Sequence, residues 1–454
     1  MIRKEGKKVL ILIAVCIMCY IAVYILLCPR SGMIKEFYKL EDNTVDVLVV
    51  GSSNAFANFN PAVLWQQYGI SSYNLGGSGQ PIWNTYYYLR EAYKTQSPQL
   101  VVLEVYTMAS YQSGYDELSN VPSNTLSLKW SKNKVECMWN STRSKDFVDL
   151  CLGLPVFHNR WTEMFQDGNL PWDYDNCNGA IQKGFHPVFF YETKEQQTVN
   201  TTIREALSEK NREYLQKIID LTRERGSKLL LVKTPYVLGE KYDAIFNSVA
   251  DLAKQNGIPF INMNECADQM GFDFTRNMAD IVHLNNVGVY KVTNYLGRMI
   301  KEQYSIPDRK GDRKYDTWQK YSDLYKETLF MCPEIVRKKR VASYSDNILV
   351  EKINDRLFMA MFPVELQKDT YYRIEVNTNL SRSIEGIVDI FGEAYDFSDQ
   401  KRRIFLGSEM MDHNFVIIKT REEIPEKLYV RIYSSEADMA LSKVRIDRLR
   451  TVGE

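Results

Sequence analysis

DVLVV followed by GSSN (Asp46 to Asn54) sets an apolar, β-branched strand directly against a small polar turn, and Pro61 then opens a helical segment. The pattern repeats outward from that stretch. ISSYNL (Ile70 to Leu75) ends a second strand before the glycine-rich GGSG, and a helix is expected from about Pro81 to Tyr93. LVVLEVY (Leu100 to Tyr106) reads as a third strand. A helix from about Ile203 to Arg225 with Gly226 as its stop leads to KLLLVK (Lys228 to Lys233); another helix reaches about Gln255 before PFIN (Pro259 to Asn262), and a last one covers Val287 to Gln303. Strands alternating with helices imply an α/β fold: a three-layer parallel sheet with helices on both faces.

Between Tyr106 and Thr201 the chain is rich in Ser, Asn, Trp and Tyr and shows no clear period. An insertion of that length, about 107–200, is expected to fold as a cap over the sheet edge, where substrate contacts gather. The charge clusters RKGDRK and RKKR within 304–340 read as a solvated linker. From 341 to 454 the period changes. YYRIEVNT, GIVDIFG, NFVIIK, LYVRIY and SKVRIDRL are short, β-branched and aromatic segments divided by polar turns, the mark of a β-sandwich domain.

Lys plus Arg and Asp plus Glu both total 57 among 454 residues, so no global field favours nucleic acid. With 45% hydrophobic and 25% charged residues the chain is of ordinary globular composition, neither disordered nor polytopic in a membrane. One segment stands apart. Val9 to Cys28 is an uncharged apolar run, long enough to cross a hydrocarbon core of about 30 Å. Arg3, Lys4, Lys7 and Lys8 precede it, which leaves residues 1–8 as a cytoplasmic tail, 9–28 as a transmembrane signal anchor and the rest outside the cell membrane. A cleaved signal peptide is the competing reading, but its apolar region is shorter, about 7–15 residues, and a small-residue cleavage site does not follow Leu27. Cys137, Cys151, Cys177, Cys266 and Cys332 lie beyond the span; their spacing indicates no disulfide framework and leaves one bridge among Cys137, Cys151 and Cys177 open.

Three stretches could carry chemistry. Gly51-Ser52-Ser53-Asn54 follows the first strand, at the carboxyl end where open parallel sheets hold ligands. A hydroxyl there suits a nucleophile, although a Ser after Gly also makes an ordinary helix cap. Asp280-Ile281-Val282-His283 precedes the last helix: a carboxylate three residues before an imidazole on a tight turn can hold the ring tautomer that lets its other nitrogen take a proton. Of four His in the chain only this one has such a neighbour ahead of a helix start; a structural His satisfied by backbone is the alternative. Asn74-Leu75-Gly76-Gly77-Ser78-Gly79 brings backbone close to any substrate and can aim an N–H at a developing oxyanion. His186 and Asn54 are candidate substrate contacts. The sequence holds no phosphate-loop, dinucleotide or H-E-x-x-H pattern, so neither a cofactor nor a metal is expected.

In this order and on these elements the three stretches resemble the SGNH (GDSL-type) hydrolase superfamily over about residues 45–303. The resemblance implies a flavodoxin-like sheet, Ser53 as nucleophile, Asp280 and His283 as its relay, and the Ser53 and Gly77 amides as oxyanion donors. With an N-terminal anchor the chain looks most like envelope acyltransferases, the teichoic-acid D-alanyl-transfer and alginate O-acetyltransferase proteins. That implies a serine O-acyltransferase or esterase working on an envelope polysaccharide or teichoic polymer, a multi-spanning membrane partner to deliver the acyl group, and a jelly-roll-like C-terminal domain that binds carbohydrate. Two positions depart from the family. Ser52 stands where Asp is usual, and the third strand ends Glu104-Val105-Tyr106-Thr107, without the family's Asn donor. The second departure favours the alternative of a non-catalytic carbohydrate-binding or envelope-assembly protein on the same scaffold.

Overall fold

The computed structural model describes residues 2–27, 32–112, 114, 120–142, 144–157, 183–186, 201–327, 335–345, 348–354, 357–368, 370–379, 387–395, 401–410, 415–420, 424–433 and 439–451. Helix α1 (Ile2–Leu27) contains one stretch, Gly6–Tyr24, long and apolar enough to cross a membrane. After α2 (Gly32–Phe37) the alternation begins: β1 (Val47–Gly51), α3 (Ser53–Ala57), α4 (Pro61–Tyr68), β2 (Ser72–Gly76), α5 (Ile82–Ala92) and β3 (Leu100–Glu104). The insertion supplies α6 (Tyr106–Ser110), α7 (Asn120–Leu126), α8 (Lys132–Ser141), α9 (Ser144–Leu152) and α10 (Leu154–Phe157). The sheet resumes with α11 (Glu209–Glu224), β4 (Lys228–Lys233), α12 (Glu240–Gln255) and β5 (Phe260–Asn262). Two short helices, α13 (Ala267–Met270) and α14 (Phe274–Asn277), then precede α15 (Asn286–Gln303).

All five strands are parallel, in the order β2-β1-β3-β4-β5. Their burial explains why they read as continuous apolar runs. Leu48 and Val50 enter one core with Val101, Leu103, Leu229 and Leu231, while Val47 and Val49 enter the other with Leu100, Val102, Leu230 and Val232. Successive side chains point to opposite faces, and helices cover both. Each such buried aliphatic side chain contributes about 2 kcal/mol relative to exposure. The strand order reverses beside β1, and in open parallel sheets ligands bind outside the strands' carboxyl ends at such a reversal.

Local signals account for the helix ends. Asn60 caps α4 by accepting from the Ala62 amide at 2.9 Å, with Pro61 at the first helical position, and Gly69 closes it at φ +64°. The helix expected from Ile203 starts only at Glu209, because Ser208 accepts from the Asn211 amide and caps it there. Asn285 caps α15 in the same way through the Gly288 amide.

The stretch 304–340 departs from its reading as a solvated linker. It contains α16 (Asp316–Glu327), whose Trp318, Tyr321 and Ser322 are buried; the Trp318 indole donates to the Ser72 carbonyl at 2.8 Å and Tyr321 to Asn60 at 3.0 Å. Charge at the other positions of this amphipathic helix conceals one buried face. The strands also begin earlier than residue 341, with β6 (Ile335–Tyr344). They continue as β7 (Glu351–Asn354), β8 (Leu357–Pro363), β9 (Tyr371–Thr378), β10 (Ile387–Tyr395), β11 (Lys401–Met410), β12 (Phe415–Lys419), β13 (Lys427–Tyr433) and β14 (Leu441–Thr451). These form antiparallel sheets of five (β11-β10-β13-β8-β7) and four (β12-β9-β14-β6) strands. Phe362, Ile390 and Val430 from one and Ile374, Ile418 and Ile446 from the other share a single core, which makes the pair a sandwich. Phe415, Ile417 and Leu449 instead join the core beneath α15.

Candidate active site

Gly51 ends β1 at φ +148°, a conformation L side chains rarely adopt, and a Cβ there would stand 3.0 Å from the Glu104 carbonyl oxygen and 3.2 Å from the Ala55 Cβ. The chain can turn this sharply from strand into helix only with glycine at that position. Ser53 is the first residue of α3. Within 51–60 it is the sole residue that is not buried. It is the one half-buried residue of an otherwise sealed turn.

The partner comes from 230 residues away. Asp280 Oδ1 accepts the amides of Val282 and His283, both at 2.8 Å, which folds the turn back on itself, and its Oδ2 lies 2.8 Å from His283 Nδ1. One carboxylate thereby shapes the loop and holds the ring. With Nδ1–H donating to Asp280, His283 Nε2 is left to accept, and Ser53 Oγ lies 2.8 Å from it. Partial burial pushes Asp280 up, but the hydrogen bond from the His283 ring, its charge and the two amides outweigh burial and hold the carboxyl below its usual range.

A clamp fixes the two segments against each other. Asn54 and Asn58, one turn apart on α3 and continuing past it, both donate to the Val282 carbonyl, at 2.9 and 3.2 Å, and Asn58 Oδ1 accepts the Leu284 amide at 3.0 Å. These bonds grip the backbone on either side of His283. Asn58 also donates to Thr234 Oγ1 at 3.1 Å, tying in the end of β4. The expectation that Asn54 contacts substrate is therefore corrected: its side chain is fully buried, its nitrogen donating to Val282 and its oxygen accepting from the Ser53 hydroxyl at 3.4 Å. Asn58 was not singled out from the sequence; the only signal was a second Asn four residues after the first, on one helical face.

Gly76 and Gly77 bring β2 beside the turn. Gly76 pairs with Gly51, and a Cβ on it would lie 2.8 Å from the carbonyl oxygens of Gly51 and Ser52. A Cβ on Gly77 would fall 1.9 Å from Asn124 Oδ1 of α7, and the Asn124 amide donates to the Ser78 carbonyl at 2.8 Å. The insertion thus packs a carboxamide on the glycine turn. Glu104, the last residue of β3, is buried and accepts the Tyr106 amide at 3.1 Å. Burial pushes its carboxyl well above the ordinary range, against the Tyr106 amide and the Lys233 charge. The third strand thus ends in a buried carboxyl engaged by the Tyr106 amide, with no Asn carboxamide at that place. His186 donates its amide to the Phe56 carbonyl at 2.9 Å and sets its ring edge-on to Phe56, 5.8 Å between centroids, which brings it to the helix that carries Ser53. Cys137 and Cys151 are unbridged, while Cys177 lies outside the described residues.

No family model matches the chain, and no curated protein matches it. Solved structures do. A G-D-S-L-family protein from Desulfitobacterium hafniense DCB-2 is similar at 12% identity over 56% of this chain and 99% of that one, with a TM-score of 0.30. An alpha/beta hydrolase enzyme from the metagenome of Lake Arreo, Spain, is similar at 11% identity over 58% and 96%, with a TM-score of 0.29. A two-domain esterase active on acetylated mannans is similar at 9% identity over 95% and 99%, with a TM-score of 0.26.

Proposed function

We propose that this chain is a membrane-anchored, extracytoplasmic serine O-acyltransferase or esterase, acting on acyl esters, acetyl foremost, of an envelope polysaccharide or teichoic polymer. The observation that carries the chemistry is the unbroken relay from Ser53 Oγ through His283 to Asp280, each link 2.8 Å, on the one residue of the turn that is not buried. Ser53 attacks the acyl carbonyl while His283 Nε2 takes its proton. The negative oxygen that forms is held by the Ser53 and Gly77 amides, and collapse expels the first alcohol with the proton returned from His283. Water or a sugar hydroxyl, deprotonated in turn by His283, then releases the acyl group from Ser53. Asp280 stays ionised and steadies the imidazolium.

On this reading α1 anchors the chain with its basic end in the cytoplasm, His186 flanks the substrate, the sandwich binds carbohydrate, and transfer draws its acyl group from a multi-spanning membrane partner; hydrolysis needs none. No nucleic acid, cofactor or metal enters the scheme. The missing Asn donor at the end of the third strand favours a second reading, a non-catalytic binding or assembly protein. Turnover of an activated acetyl ester separates the two: the enzyme reading expects Ser53→Ala to lose on the order of 10⁴-fold or more, and equal turnover by both chains would establish the second reading. Product analysis with a glycan acceptor present then divides transfer from hydrolysis.

A further inference from the structure

The helical cap has an apolar face that its own packing does not use. On the inner side, Val121 and Leu126 of α7, Met138 of α8 and Leu150 of α9 form a small core. On the outer side, Val148 and Leu152 of α9 are 58% and 44% exposed, and Trp139 of α8, edge-on to Phe147 at 5.2 Å, is 57% exposed. Val148 and Leu152 are four residues apart, one turn above the other on the outward face of α9, a position that water would favour for polar side chains. This face adjoins α1: the Tyr20 hydroxyl, near the carboxyl end of the membrane-spanning stretch, donates to the Leu152 carbonyl.

We infer that α8 to α10 rest on the outer leaflet of the bilayer, with Trp139, Val148 and Leu152 at the boundary of headgroups and acyl chains. The inference rests on the anchor reading of α1 and extends it. Continuity with the span selects lipid as the occupant, and a tryptophan at that level matches the aromatic belt of membrane interfaces. The seat has a consequence for the site. Asn124 of α7, in the same cap, holds the Gly77–Ser78 turn. The cap therefore ties the oxyanion turn to the bilayer surface, and an acyl donor carried by a lipid or a membrane protein approaches Ser53 along that surface.

The test uses the full chain in nanodiscs of phosphatidylethanolamine and phosphatidylglycerol, with photoreactive benzoylphenylalanine placed singly at Leu12 in α1, at Val148, at Leu152 and at Leu349, a fully exposed residue among the β-strands. All four sites are exposed, so each variant keeps its fold. Lipid adducts at Leu12, Val148 and Leu152, with only background at Leu349, are expected. Adducts at Leu12 but none above background at Val148 and Leu152, or equal adducts at Val148 and Leu349, overturn the seat and leave the anchor standing. No adduct at Leu12 overturns the anchor reading and the seat with it.

Discussion

The two ends of the parallel sheet each hold an aspartate saturated with hydrogen bonds, and the contrast between them shows what makes one a structural joint and the other a candidate for catalysis. At the amino end, Asp46 receives both forks of Arg309 at 2.7 and 2.8 Å, the Ser71 hydroxyl at 2.7 Å and the Gln99 amide at 3.0 Å. Every partner is a fixed donor, and arginine keeps its charge throughout the pH range in which proteins fold. None of these partners is a base that could relay a proton. At the carboxyl end, Asp280 receives two amides and an imidazole whose far nitrogen faces the hydroxyl of the half-buried Ser53. One replaced partner, His for Arg, converts a joint into a relay.

Substitutions at the two aspartates should separate these roles. Asp280→Asn should lower kcat by roughly 10³ to 10⁴-fold, because a carboxamide that donates toward Nδ1 selects the wrong imidazole tautomer, while thermal stability at neutral pH falls only by the part that the ionised carboxyl contributes. Similar losses in both quantities would contradict the assignment. Because its carboxyl is held below the usual range, Asp280 contributes stability that is present above its unfolded value and lost as pH falls through the folded one. In acid titrations followed by circular dichroism, the Asp280→Asn chain should lack that part of the loss.

Asn58 tests whether the relay depends on its clamp. Removing the side chain frees Val282 and Leu284 to shift, and a misplacement of about 1 Å costs on the order of 100-fold in rate. Asn58→Ala should therefore lower kcat far more than it raises KM, and Asn58→Ser, which keeps a shorter donor, should recover part of it. An unchanged kcat would show that the loop holds His283 unaided. Asp46→Ala is the mirror experiment. It leaves the Arg309 fork unpaired and should cost about 2 to 3 kcal/mol in urea unfolding, with kcat of the folded protein nearly unchanged.

A test on stability alone concerns Lys183, buried against the Trp318 ring at 4.0 Å and donating to Thr317 at 2.7 Å, with burial pushing its ammonium down to about 7. The unfolded chain, with a value near 10.5, binds the proton more tightly, so stability should rise with pH between those limits. Lys183→Met should flatten that slope in melting curves recorded from neutral to mildly alkaline pH. An equal slope in both chains would place the charge elsewhere.

What was legible in the sequence is what is local. Gly51 to Asn54 and Asp280 to His283 each build their geometry from neighbours along the chain, and the apolar runs of β1, β3 and β4 announce a sheet buried on both faces. The remainder depends on contacts that no local pattern encodes. Asn58 matters because Val282 and Leu284 arrive from over 220 residues away. Asn124 matters because an insertion without period folds back onto Gly77. The linker reading of 304–340 failed because Trp318 and Tyr321, three apart on one face of α16, are diluted by the charges around them. Asn54 was misjudged for a related reason: adjacency to a reactive hydroxyl says nothing of the direction a side chain takes on a helix.

Covalent capture is the most direct measurement. The full chain is treated with a fluorophosphonate, digested, and the modified peptide located by mass spectrometry. Phosphonylation of Ser53 that disappears in His283→Ala is the predicted result; an unmodified Ser53, or modification that proceeds equally without the imidazole, would contradict the relay.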